Sequence, residues 1–93
     1  MATIASSSFF VGAVPSFSTP YQAGGGTAKT AGAVAIGEGA TADNIGAVAI
    51  GKDADANFKA VAIGEEANAN ANSVSIGDQA EAGSNAVSIG RET

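Results

Sequence analysis

Residues 60–77 read AVAIGEEANANANSVSIG, and the phrase AVAIG that opens the stretch returns at its close, thirteen residues on, as SVSIG. Aligned on that phrase, copies start at Ala33, Ala47, Ala60, Ser73 and Ala86, fourteen residues apart once and thirteen thereafter. Val and Ile stand two apart in every copy, giving the columns Val34, Val48, Val61, Val74, Val87 and Ile36, Ile50, Ile63, Ile76, Ile89. A glycine follows each Ile: Gly37, Gly51, Gly64, Gly77 and Gly90. Three and five residues past the first four of these glycines come alanines, Ala40, Ala54, Ala67, Ala80 and Ala42, Ala56, Ala69, Ala82.

Within a copy the apolar period is two, which suits a β-strand, because alternate side chains leave a strand on opposite faces. A helix would need spacings of three and four, and the recurrent Gly and Asn work against one. The glycine column predicts one corner of the chain. Asp43, Asn57, Asn70 and Gly83, directly after the second alanine, predict the other, since Asp, Asn and Gly tolerate left-handed turn conformations. Two strands and two corners make one coil, and stacked coils form two parallel ladders about 4.8 Å apart per step. The chain repeats itself because matching columns stack on one another. The column after the glycine reads Glu38, Lys52, Glu65, Asp78, Arg91, and its mixed signs relieve part of the repulsion that one sign would accumulate at ladder spacing.

A coil of thirteen residues is too narrow to bury both faces of its strands. One face must fill the roll and the other must meet another chain, and the alternation alone leaves open which does which. We expect a homotrimer in which the Val and Ile columns are buried, either inside the roll or between chains.

The phrase [AS]V[AS]IG, two polar residues, AxA and a turn resembles the YadA-like head repeat of trimeric autotransporter adhesins, over residues 33–90. The resemblance implies an all-β, left-handed parallel β-roll, three chains side by side, and an exposed head that binds host surfaces or matrix. Family heads follow a secretion signal and lead through a neck and coiled coil to a membrane barrel, and none of these is evident in the sequence.

Composition bears on the same questions. The chain has 93 residues and no Cys, His, Trp or Leu, and most of its apolar fraction is alanine. A lone domain of this size needs a dense core, disulfides or a metal, so the composition independently favours an oligomer. Nine Asp and Glu against four Lys and Arg repel phosphate backbones and anionic membranes, which excludes nucleic acid as the expected partner. FFVGAV at residues 9–14 is too short for a membrane span and is preceded by no Lys or Arg, so the sequence predicts neither a secretion signal nor membrane insertion.

Every acidic residue lies at Glu38 or beyond, and residues 1–37 carry only Lys29. That asymmetry divides the chain into a segment 1–32, expected to be an extended arm with a flexible joint at Gly24–Gly26, and a repeat domain 33–93. The arm holds Phe9, Phe10, Val11, Phe17 and Tyr21, which could fill grooves on a partner through residues 1–24, or fold back to cap the first coil.

No catalytic constellation recurs, and no enzyme and no cofactor are expected. Asp53, Asp55 and Asn57 resemble the start of a calcium loop, but Phe58 and Gly64 stand where such a loop needs Gly and Glu. GGGTAKT at 24–30 lacks the Gly–Lys pair of a phosphate loop. An ice-binding face would need ordered threonine columns, and Thr41 is the only threonine of the repeat copies. The expected function is therefore structural: a trimeric spike or decoration protein on the exterior of a bacteriophage capsid or tail, held by its N-terminal arm. A bacterial surface adhesin head is the alternative.

Overall fold

In the computed structural model, residues 20–92 are described, and they coil into a two-ladder parallel roll. The strands alternate between three residues and two. β1 (Tyr21–Ala23), β3 (Val34–Ile36), β5 (Val48–Ile50), β7 (Val61–Ile63), β9 (Val74–Ile76) and β11 (Val87–Ile89) form one sheet, neighbours in that order. β2 (Thr27–Ala28), β4 (Thr41–Ala42), β6 (Asp55–Ala56), β8 (Asn68–Ala69) and β10 (Glu81–Ala82) form the second. The columns of the sequence are the registers of the ladders: Val48 pairs with Val61, Ile50 with Ile63, and Ala56 with Ala69. Each coil thus gives its backbone donors and acceptors to the coil before and the coil after, as with Val48 N–H donating to Ala60 O and Asp55 N–H to Ala67 O, both 2.8 Å.

The structure answers which face fills the roll. Ala35, Ala49, Ala62 and Ser75 point inward from the first sheet and Ala42, Ala56, Ala69 and Ala82 from the second, all at most 1% exposed. The Val and Ile columns point outward and are half-buried or exposed in the single chain. Of the two alternatives, that they fill the roll itself is corrected: sheets joined by such short corners lie so close that only methyls and a serine hydroxymethyl fit between them. A buried methyl contributes about 0.8 kcal/mol, against about 1–2 kcal/mol to fix one residue's backbone, so the alanine interior is a weak core. The outer face has to supply what it lacks.

The first coil begins earlier than the sequence indicated. Tyr21 pairs with Val34 and Thr27 with Thr41, so Gly24–Gly26, read as a flexible joint, turn the corner of a coil, and the repeat starts at Tyr21 rather than Ala33. A Cβ on Gly26 would lie 2.6 Å from Ala35 O, which is why glycine stands where later coils carry alanine. Gln22 occupies the inward column of β1, the first strand of the described residues. Its Oε1 accepts a 2.9 Å bond from Ala28 N–H and covers that end of the roll. Phe9, Phe10, Val11 and Phe17 lie outside the described residues.

The second corner also differs from expectation. Asp43 and Asn57 stay in the ladder, donating to Ala56 O and Ala69 O, and the left-handed residues follow two or three positions later, at Gly46, Lys59, Asn72 and Asn85. The ladder bond holds the first residue of the corner extended, so the reversal is completed beyond it.

Candidate interaction surface

No cavity opens among the described residues; what they present is the outer faces of the two sheets and the corners between them. The outer face of the first sheet is apolar along its length. Val and Ile leave each of β3, β5, β7, β9 and β11 on the same side, and ladder register stacks them into two adjacent ridges. Burial along the ridges comes from the coil on either side: Val61 and Ile63, flanked by β5 and β9, are half-buried, whereas Val87 and Ile89 at the last strand are 69% and 65% exposed. At the opposite end Tyr21 continues the Val ridge and is 58% exposed. The expected docking residue Tyr21 is therefore a member of the sheet face.

Two corners border this face. Beside the Val ridge, the corner leading from the second sheet to the first presents Ile45 and Phe58, 55% and 40% exposed, with the Lys59 ammonium 5.2 Å from the Phe58 ring centroid. Beside the Ile ridge, the glycine corner carries Glu38, Lys52, Asp53, Glu65, Glu66, Asp78, Arg91 and Glu92, all exposed. The mixed signs foreseen there are used in part, Arg91 Nε lying 3.5 Å from Asp78 Oδ2, and beside them the neutral Gln79 Nε2 donates to Glu66 Oε1 at 2.9 Å.

The turn glycines make the stacking possible. Gly51, Gly64 and Gly77 have φ of 125°, 130° and 134°, a region closed to side chains. A Cβ on Gly64 would meet Gly77 O at 2.5 Å. Each glycine is required by the next, so the column runs unbroken from Gly37 to Gly90.

The outer face of the second sheet is polar: Thr27, Thr41, Asp55, Asn68 and Glu81 in one column, Lys29, Asp43, Asn57, Asn70 and Gly83 in the next. Lys29 Nζ lies 3.1 Å from Asp43 Oδ1, and Asn57 Nδ2 donates to Asn70 Oδ1 at 3.2 Å. Burial and, after it, the neighbouring Asp43 hold the Asp55 carboxyl above its ordinary pKa, with Lys29 opposing. A roll with one apolar and one polar broad face can pack against other chains while keeping a hydrated exterior.

Residues 31–54 match the YadA head domain repeat, in two copies. These residues form β3, β4 and β5 with their corners, and the ladders carry the same register on to β11. The matched stretch is a pair of YadA-like head repeats, and the later coils continue its register. No curated protein and no solved structure matches the chain.

Proposed function

We propose that this chain is the head of a trimeric, adhesin-like structural protein, exposed on a surface and without catalytic activity. The observation that carries the reading is the unbroken outward Val and Ile face on a roll whose own interior is alanine. Such a face lowers its free energy by about 25 cal/mol for each Å² of apolar surface removed from water, and a second and third copy present the same ridges at the same spacing. Three faces closing on one axis bury all of them and turn the three polar faces outward, where the columns of Asn, Thr and carboxylates would meet host surface or matrix. The family match to an adhesin head supports this arrangement and the exposed location.

A virion spike is the second reading, favoured by Phe9, Phe10 and Phe17 within the first nineteen residues. Three aromatics on a segment ahead of the roll suit docking into grooves of a capsid or tail protein, and tight attachment follows when three linked arms bind together.

Ile63→Asp tests the common core of both readings. A carboxylate buried without a partner costs several kcal/mol, and threefold symmetry repeats that cost on every chain. We expect the variant to lose the trimer and sediment as a smaller species. Unchanged assembly and melting would mean that the Ile column faces solvent.

A further inference from the structure

The two borders of the apolar face differ in charge and in shape. The glycine corner carries six carboxylates, Glu38, Asp53, Glu65, Glu66, Asp78 and Glu92, against Lys52 and Arg91. The opposite corner carries Lys29 and Lys59 against Asp43 alone, and Lys29 is already paired with that carboxylate. Lys59 is the cation left over. It stands beside Phe58 and Ile45, the exposed large apolar residues of that corner, and its ammonium lies over the ring, with no ion pair to another of the described residues.

We propose that the Ile45–Phe58–Lys59 corner of one copy seats against the acidic corner of the next, around Asp53, Glu65 and Glu66. The inference rests on the self-association proposed above and adds which borders meet. When copies surround an axis parallel to the stack, all coils share one height, and the Val-side border of each copy faces the Ile-side border of its neighbour. Lys59 lies between Asp53 and Glu65 along the chain, so it stands within about one ladder step, roughly 4.8 Å, of the height of both. Phe58 and Ile45 extend the apolar contact past the Val ridge, and the ammonium meets carboxylates at the rim. An antiparallel arrangement about an axis crossing the stack would instead bring the acidic corner onto its own copy, where six carboxylates would repel six. Complementary borders thus select the parallel arrangement and fix its register.

The test is a charge swap read by sedimentation equilibrium of the full chain at low and high salt. Lys59 has φ 53°, so Lys59→Asp keeps a residue that tolerates the left-handed backbone. We expect Lys59→Asp to weaken assembly at least tenfold in low salt, with the deficit shrinking at high salt as screening shortens the reach of the charges. Lys59→Asp combined with Glu65→Lys and Glu66→Lys should recover most of it. Phe58→Ser should weaken assembly without the salt dependence. If the unaltered chain assembles but Lys59→Asp leaves assembly unchanged, or the swap does not rescue it, the corner pairing is overturned while the trimer stands. If the unaltered chain is a monomer, the trimer itself falls and the pairing with it.

Discussion

Replacing Gly64 with alanine should be among the most damaging single changes to the roll, although it adds only one methyl. The added Cβ would lie 2.5 Å from Gly77 O, 2.7 Å from Gly77 C and 3.1 Å from Gly77 N. All three are backbone atoms, so no side chain can turn aside. Relief requires the coils to separate at the corner, where Gly64 N–H donates to Ile50 O and Gly77 N–H to Ile63 O, each at 2.8 Å. A φ of 130° costs a residue with a side chain about 1–3 kcal/mol, and weakening one ladder bond adds about 0.5–1.5 kcal/mol. The sum, roughly 1.5–4.5 kcal/mol, converts at about 4–8 °C per kcal/mol for a domain of this size into a fall in Tm of at least ~6 °C. Gly83→Ala is the matched control: a Cβ there meets nothing within 4 Å, and restricting the unfolded chain should stabilise by about 0.4–1 kcal/mol. Thermal unfolding followed by circular dichroism reads both. A Gly64→Ala melt superimposed on that of the unaltered chain would refute the stacking argument.

Ser75 is fully buried and its Oγ has no hydrogen-bond partner among the described residues, while Ala62 fills the same column one coil earlier, so Ser75→Ala should raise stability by about 1 kcal/mol in chemical denaturation. Asp55 holds its proton to higher pH when folded than the ordinary 3.8, so its contribution favours the folded state at low pH and is lost as pH rises through the raised value. Asp55→Asn, matching Asn68 above it, should therefore stabilise by a few tenths of a kcal/mol near pH 7, after solvent screening, and by less near pH 3; an equal gain at both pH values would contradict the assignment. Deleting residues 1–19 should leave the ladders and the melting transition intact, since the ladder bonds from β1 to β11 run between residues 20–92; attachment to a virion would be lost in the spike reading and surface binding kept in the adhesin reading.

The parts of the fold that repeat were legible in the sequence. Val and Ile two apart announced strands, the glycine after each Ile announced the first corner, and thirteen-residue spacing announced the coil. What escaped was whatever did not repeat or depended on distance between sheets. Tyr21–Ala28 lacks both Val and Ile, and its glycine corner is one residue short, so the first coil was hidden behind Gly24–Gly26. Alternation says that two faces differ but not how far apart the sheets lie, and only that separation decides for alanine inside. The left-handed residues of the second corner were misplaced from Asp43, Asn57 and Asn70 because a ladder bond outweighs the turn preference of Asp or Asn. Phe58 was read only as a residue that spoils a calcium loop; its recurrence in the column of Ile45 was the available sign that this corner is apolar.

The central claim is that a roll with an alanine interior is completed by burying its Val and Ile face against two further copies. Sedimentation equilibrium of the full chain measures this directly. The account predicts a single species of about three times the 8.9 kDa chain mass, with dissociation accompanied by loss of β structure. A monomer that stays folded at every concentration would contradict it.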